Sequence, residues 1–283
     1  MLEANLSANK TLVSVVIPTF NSSSTLASCI LSLKAQTCPN IEVVIVDNFS
    51  EDGTSKIAKH FDVKLLPLRS NLPAARNFGL LHTKGDYVFH LDSDMCLTSE
   101  VVEQCVKKCE EGTFSAVSVP EMSVGEGFWG KCISLEKTLY AGDEAIITPR
   151  FFRRVVLNSL GGSDESLAAG EDWDLWVRLR EKGYKVGFIN AYLVHQEGSS
   201  LAIYIRKKYR WAKTVYRYFS KHPGNALRQW APIKPRNLWY NRTKILSMPH
   251  YFMGALFIKM IKISVGIIGL LAKERQGSRA IDE

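Results

Sequence analysis

From residue 198 to residue 273 the chain has no Asp and no Glu, although the protein as a whole carries 28 of them. That absence divides the sequence. Residues 1–197 hold 19 Lys and Arg against 25 Asp and Glu, and residues 198–283 hold 17 against 3, so a basic tail follows an acidic body within a net charge of +8. The six cysteines, Cys29, Cys38, Cys96, Cys105, Cys109 and Cys132, include no Cys-x-x-Cys pair. That argues against a small disulfide scaffold and against a thiolate metal site, and reduced thiols packed in a core are expected, Cys105 and Cys109 included. No Gly-x-Gly-x-x-Gly follows the first apolar run, and no Gly-x-x-x-x-Gly-Lys-Ser/Thr occurs anywhere. Neither glycine-cradled phosphate site is therefore offered. Residues 1–10 are polar and lack the apolar run of a secretory signal, which leaves residues 1–197 expected on the cytoplasmic side. Low-complexity tracts and fixed-period repeats are also missing, and 46% hydrophobic with 23% charged residues is the composition of a folded protein.

What is present is an alternation. Apolar runs at residues 12–19, 42–47, 63–68 and 86–91 are followed by amphipathic stretches at 24–36 and 53–60, by a stretch that Pro73 can open as a helix, and by one from Ser99, a good N-cap, to about 111. Repeated β-α units of this kind predict an α/β fold with a mostly parallel sheet flanked by helices. Beyond them come residues 114–120, a mixed stretch to 149, a Gly161-Gly162 loop, a helix over 171–182, and one or two closing strands within 184–194. One large domain, residues 1–197, with a helical extension, residues 198–283, is the economical division.

The fourth apolar run ends in His90-Leu91-Asp92-Ser93-Asp94. Two aspartates one residue apart at the carboxyl end of a buried strand lie where open α/β sheets place their ligand. Hard oxygen ligands there suit Mg²⁺ or Mn²⁺, which neutralises phosphates and polarises a leaving group. The first run ends in Pro18-Thr19-Phe20-Asn21 and the second in Asp47-Asn48-Phe49-Ser50-Glu51-Asp52-Gly53-Thr54, polar clusters at the same end of the sheet. An enzyme is expected.

These stretches, with Ala75-Arg76-Asn77-Phe78-Gly79, Gly161-Gly162-Ser163-Asp164-Glu165 and Gly170-Glu171-Asp172-Trp173-Asp174-Leu175, resemble in order and spacing the family 2 glycosyltransferases over roughly residues 12–200. The resemblance implies a GT-A fold, a nucleotide-sugar donor (a UDP-sugar by family habit), a divalent metal and inversion at the anomeric carbon. It puts Pro18, Thr19 and Asn21 at the lip of the nucleotide pocket, with Asp47 accepting from the base, Asp52 nearby and Arg76 bracing the pocket. Asp92 goes to the ribose or a metal water, with Ser93 beside it, and Asp94 goes to direct metal coordination. Asp172 falls where the family keeps its catalytic base, with Glu171 as the neighbouring candidate, and His195 where many members place a further metal or diphosphate ligand.

The chemistry asks for these residue types on its own account. In an in-line displacement one carboxylate deprotonates the acceptor hydroxyl while a metal stabilises the departing diphosphate. Asp172 opens a helix in which Trp173, Trp176 and Val177 repeat at i, i+3, i+4, so one face is expected to pack while the acidic end faces the ligand.

In the tail, Arg206, Lys207, Lys208, Arg210, Lys213, Arg217 and Lys221 interleave with Tyr204, Tyr209, Trp211, Tyr216, Tyr218 and Phe219, and residues 251–272 form an apolar stretch broken by Lys259 and Lys262. Those two lysines share a helix face and their long stems can snorkel. Attraction to anionic lipid accounts for the charge and the apolar stretch together, and no nucleic-acid motif accompanies them. The expectation is a protein on the cytoplasmic face of a membrane, peripheral or shallowly inserted. Its acceptor is then a polyprenyl phosphate or a polyprenyl-linked sugar, its phosphate held by Arg206, Lys207, Arg210 and Trp211. A growing surface polysaccharide is the alternative acceptor, and a catalytically silent nucleotide-sugar binding protein the alternative of another class.

Overall fold

Val13, Val15, Val16 and Ile17 are all wholly buried, the pattern of a central strand covered on both faces, and they form β1 (Val13–Thr19) of the computed structural model. The structure describes residues 11–140, 147–230 and 235–279; the polar start, residues 1–10, lies outside them. Two compact units are present, Met1–Met122 with Ile147–Glu165 and Asp172–His195, and Ser123–Ile146 with Ser166–Glu171 and Gln196–Glu283.

Along the chain, β1 is followed by α1 (Leu26–Lys34), β2 (Ile41–Asp47), α2 (Thr54–His60), β3 (Lys64–Pro67), α3 (Leu72–Leu81), β4 (Tyr87–His90), β5 (Met95–Leu97) and α4 (Val101–Glu110). After them come β6 (Ala116–Ser118), β7 (Glu121–Gly125), α5 (Gly127–Thr138), β8 (Phe151–Arg153), α6 (Arg154–Ser159), α7 (Glu171–Glu181), β9 (Val186–Phe188) and β10 (Leu193–Glu197). The main sheet has seven strands in the order β3-β2-β1-β4-β8-β6-β9, and a smaller one runs β5-β10-β7. β1, β2, β3 and β4 pair in parallel, as their β-α repeats require, whereas β8 runs antiparallel to both β4 and β6.

Successive side chains point to opposite faces, and the core divides accordingly. Val15, Ile17, Ile45, Phe89 and Phe151 belong to one buried cluster, and Val16, Val44, Val46, Val88 and Phe152 to the other, where Leu175 and Leu179 of α7 join them. On α7 it is thus Leu175 and Leu179, with Trp176 and Val177 also buried, that pack, while Trp173 is only half-buried. More than one face of that helix is covered, so a single stripe does not describe it. The six cysteines are free thiols, with Cys105 and Cys109 fully buried. Gly79 is the residue that lets α3 approach β1: a Cβ there would lie 2.3 Å from Val16 Cγ1.

His90 ends β4 with its ring against Phe152, 5.3 Å between centroids, and its Nε2 has no hydrogen-bond partner among the described residues. Burial first, and the positive field of Arg76 second, hold its pKa well below the ordinary histidine value, so the ring is neutral in the folded state. An unfolded histidine takes its proton near pH 6.5, so below that point the unfolded chain binds more protons than the folded one and stability falls with pH. Denaturant unfolding between pH 7 and 5 is expected to lose up to about 1.4 kcal/mol per pH unit from this residue. The slope should flatten in His90→Phe.

The second unit is helical. α8 (Leu201–Lys221), α9 (Pro223–Trp230), α10 (Pro235–Tyr240), α11 (Arg242–Ser247) and α12 (Pro249–Arg279) follow β10. Cys132 and Ile133 of α5 pack against Ile258 of α12, with Trp129, Leu201, Tyr204 and Tyr251 around them. Gly254 marks the tightest crossing, since a Cβ there would lie 2.3 Å from Cys132 Sγ. Phe128 and Trp129 lie edge to face and reach Tyr251 and Phe257 of α12, so they cover that helix. Pro249–Ile268, with mean hydropathy 1.7, is long and apolar enough to cross a membrane by length and composition. Its two lysines turn inward instead of snorkelling: Lys262 Nζ donates to both carboxylate oxygens of the fully buried Glu136, at 2.9 and 2.7 Å, and Lys259 lies 4.8 Å over the Tyr140 ring. A buried carboxylate needs that counter-charge. Met253, Phe257, Met260 and Ile267, at helical spacing, are left exposed as an apolar stripe.

Candidate active site

Parallel register carries the carboxyl ends of β1 and β2 to the same level, Thr19 opposite Asp47. The Asp47 carboxylate is buried and accepts from Thr19 Oγ1 at 2.7 Å, Ser50 Oγ at 2.6 Å and Ser50 N at 2.9 Å. Asn21 adopts φ +50°, a left-handed turn that asparagine tolerates. Its backbone N–H donates to Ser50 Oγ at 2.8 Å, and its Oδ1 accepts from Glu51 N at 3.0 Å. Asp52 accepts from Thr54 Oγ1 at 2.5 Å and from the backbone N–H groups of Ser23 and Thr54. The Thr54 hydroxyl leads these bonds in holding its carboxyl well below the usual range. Half-buried Pro18 pairs with Val46 in the same ladder, so Pro18, Thr19, Asn21, Asp47 and Asp52 form one pair of stitched loops.

Two residues beyond β4, Asp92 takes a guanidinium on each oxygen: Arg76 of α3 on Oδ1 at 2.9 Å and Arg150 on Oδ2 at 3.1 Å. Burial by itself would raise its pKa, but Arg150, then Arg76 and His195, overcome that and hold the carboxyl far below its ordinary value. Arg150 reaches on to Glu121 Oε2 at 3.7 Å, and the charges of Asp92, Glu121 and Asp172 keep its guanidinium protonated against the opposing effect of burial. Ser93 Oγ bonds to Ser22 Oγ at 2.8 Å. β10 lies antiparallel on β5 with His195 opposite Met95, which puts the imidazole beside Asp94, Nε2 to Oδ2 3.3 Å. The other ring nitrogen, Nδ1, lies 2.7 Å from Glu121 Oε1.

For a divalent cation Asp94 and His195 are suitably spaced, and Glu121 also brings a carboxylate oxygen within 4.8 Å of a His195 ring nitrogen. Two donors on adjacent octahedral positions about 2.1 Å from an ion lie about 3 Å apart, close to the Asp94–His195 separation, and carboxylate with imidazole is a donor set for Mn²⁺ or Mg²⁺. Both oxygens of Asp92 are already engaged by arginines.

Asp172 stands in the first turn of α7, half-buried, where its Oδ2 accepts from Thr148 Oγ1 at 3.3 Å and its Oδ1 from Trp173 N at 2.9 Å. Glu171 beside it is buried, and Asp174 is spent on Arg178 at 2.7 Å. The Gly161-Gly162 loop is fixed by Asn77, whose amide donates to Ser163 O and Glu165 Oε1 and accepts from Ser163 N, all at 2.8 Å. Gly162, at φ +72°, would place a Cβ 2.4 Å from that amide oxygen, so glycine is required there. Arg206, Lys207, Arg210 and Trp211 are exposed on α8 of the second unit, with Lys207 Nζ 5.2 Å from the Trp211 ring centre.

Sequence reasoning missed Arg150 and Glu121. Their signal is topological: because β8 is antiparallel, the residue that precedes it sits at the level where the parallel strands end, and His90 N donates to Arg150 O at 2.8 Å. Without the direction of β8, Arg150 reads as an ordinary surface charge.

A sheet of this order with carboxylates gathered at its carboxyl edge defines a GT-A nucleotide-sugar transferase fold, and solved structures agree. The mannosyltransferase PcManGT from Pyrobaculum calidifontis, in complex with GDP-Man and Mn²⁺, superposes with TM-score 0.63 at 20% identity over 93% of this chain and 88% of its own. S. aureus TarS residues 1–349 in complex with UDP-GlcNAc gives 0.55 at 18% identity, over 94% and 92%. The model of glycosyl transferase family 2 matches residues 14–158 and that of glycosyl transferase family group 2 residues 148–270. The chain belongs to glycosyl transferase family 2. Among relatives, GlyA of Streptococcus pneumoniae is 36% identical over 105 residues, 35% of this chain and 15% of that one. An uncharacterized glycosyltransferase of Haemophilus influenzae is 26% identical over 258 residues, 84% of each. Coverage of the relatives is thus uneven, from 15% through 31% to 84% of their length.

Proposed function

We propose that this protein transfers a sugar, with inversion, from a nucleoside diphosphate donor, a UDP-sugar, to a polyprenyl phosphate or polyprenyl-linked acceptor at the cytoplasmic face of a membrane. The observation that carries the reaction class is the set Asp47, Asp92, Asp94, Asp172 and His195 in one unit, at the carboxyl edge of its sheet, braced by Arg76 and Arg150. In this reading Thr19, Asn21, Asp47 and Asp52 frame the nucleotide, with Pro18 shaping the lip and Asp92 and Ser93 toward the ribose. Asp94 and His195 hold Mn²⁺ or Mg²⁺, which when bound neutralises the diphosphate and makes it a better leaving group. Asp172 takes the proton of the attacking hydroxyl.

The acceptor reading rests on the second unit. The exposed stripe of Met253, Phe257, Met260 and Ile267 lies in a segment without an acidic residue from 198 to 273, a pairing that suits an anionic lipid surface. Arg206, Lys207 and Arg210, at i, i+1 and i+4 beside Trp211, are the cations available to an acceptor phosphate. A glycan acceptor is the second reading, favoured by a relative named chondroitin synthase from Escherichia coli, 28% identical over 188 residues.

Nucleoside diphosphate release by the full chain on anionic liposomes, across a panel of UDP- and GDP-sugars with Mn²⁺ or Mg²⁺, tests both. Release that needs metal and polyprenyl phosphate together is the expected result. Release indifferent to the lipid but stimulated by a glycan would establish the second reading, and no release with any donor would overturn the reaction class.

A further inference from the structure

We propose that the Phe49 ring is the stacking wall for the base of the nucleoside diphosphate, with the Arg69 guanidinium backing it. The inference rests on the reading of Thr19, Asn21, Asp47 and Asp52 as the nucleotide frame and adds the side chain that gives the frame its hold on a planar base.

Apart from glycines, the described residues with positive φ are Asn21, Phe49 and Asp62. Asn and Asp tolerate the left-handed region because their short polar side chains bond locally, whereas a bulky residue is strained there. Phe49, at φ +55°, therefore needs an explanation in two parts. The backbone part is local. A left-handed residue here turns the chain so that Ser50 comes back onto Asp47, its N–H at 2.9 Å and its hydroxyl at 2.6 Å from the carboxylate. Glycine would make the same turn without strain. The ring is thus not what the turn requires, and folding does not bury it, since Phe49 is 52% exposed.

Register shows where the ring stands. Thr19, Asp47 and Pro67 lie side by side on β1, β2 and β3. The loops beyond them are tied across, Asn48 N to Thr19 O and Leu68 N to Asp47 O at 2.9 Å each, and Ser70 N to Asn48 Oδ1 at 3.3 Å. Phe49 and Arg69 each fall two residues past that level, and there they meet: the guanidinium sits over the phenyl ring, 5.3 Å from its centroid. A cation over one face is attracted to the ring and steadies it. The exposed remainder, two residues from the buried Asp47 carboxylate, suits a planar partner, and the base is the planar part of a nucleoside diphosphate. Because every base has a π-face, such a wall gives preference for a nucleotide over bare diphosphate and does not choose among bases.

The test is calorimetric binding of UDP, GDP and inorganic pyrophosphate to the full chain, each with Mn²⁺, so that no acceptor or turnover is needed. Wild type should bind UDP or GDP more tightly than pyrophosphate, the difference being what the base contributes. Phe49→Gly keeps the turn and removes the ring, and should weaken the nucleotide about 5- to 100-fold while leaving pyrophosphate within about twofold. Phe49→Trp should hold the nucleotide within about threefold of wild type, and Arg69→Ala should weaken it about two- to fivefold. Nucleotide affinity unchanged in Phe49→Gly overturns the proposal while leaving the nucleotide frame standing. Equal loss of nucleotide and pyrophosphate in Phe49→Gly would make the ring a prop for its loop and also overturns it. Wild-type affinity in Arg69→Ala would end the backing role of the arginine. Nucleotides bound no more tightly than pyrophosphate by wild type would refute the nucleotide frame itself, and the stacking wall with it.

Discussion

Replacing Asp172 by Asn is expected to lower kcat by about 10²- to 10⁴-fold, the range that general-base removal costs, with donor affinity held within about threefold. The split follows from position. Among the described residues the Asp172 carboxylate bonds to Thr148 Oγ1 and Trp173 N, and neither bond reaches the stitched loops of β1 and β2. Asn fits the same volume, its Oδ1 can accept from Trp173 N while its Nδ2–H donates to Thr148 Oγ1, and the loss is therefore chemical and not structural. Glu171→Gln is the control, because the neighbouring side chain is buried and its replacement should leave kcat within about threefold. Single-turnover release of nucleoside diphosphate separates the two variants. Turnover retained in Asp172→Ala but lost in Glu171→Ala would reverse the assignment.

How much of this was legible depends on whether a feature lives in one segment or between several. The strands β1, β2 and β4 and the helices after them are written locally: apolar runs bounded by turn residues can only be buried strands, and the parallel pairing follows from the helices between them. The polar clusters at residues 18–21 and 47–54 are legible for the same reason, since whatever follows a parallel strand is at its carboxyl end. β8 is not, because Phe151-Phe152-Arg153 is too short for a periodicity and its antiparallel direction is set by β4 and β6 on either side. α5 was similarly opaque, as part of a mixed stretch whose partner, α12, arrives more than a hundred residues later.

The site divides along that line. Asp92 and Asp94 look equivalent in sequence, yet one is clasped by two guanidiniums and the other faces an imidazole. What separates them is Arg150, Glu121 and His195, all brought in by register and not by spacing. Lys259 and Lys262 teach the same lesson in the second unit. Their separation correctly puts them on one helix face, but the buried carboxylate of Glu136 on α5 decides that the face points inward. Charge patterns report which residues share a face; only packing reports which way it turns.

Arg150→Met should be the most damaging substitution for stability, about 2–4 kcal/mol by denaturant unfolding at pH 7, because it removes one partner from a largely buried network and leaves the others charged. Asp92 would keep only Arg76, and Glu121 would lose the cation at 3.7 Å. The lower part of the range for breaking buried pairs applies, since about a quarter of the Asp92 side chain, 26%, reaches solvent. The pH dependence carries the diagnosis. Arg150 and Arg76 hold the folded pKa of Asp92 below its unfolded value, so their stabilisation is fully present above about pH 4 and is lost as pH falls toward that depressed value. The gap between wild type and Arg150→Met should therefore be constant from pH 7 to about 4.5 and narrow below it. Arg150→Lys keeps the charge but not the fork that reaches Asp92 and Glu121 from different nitrogens, and should fall between the two. If all three proteins unfold at the same denaturant concentration at pH 7, the arginine is not a structural hub, and Asp92 is held by Arg76 alone.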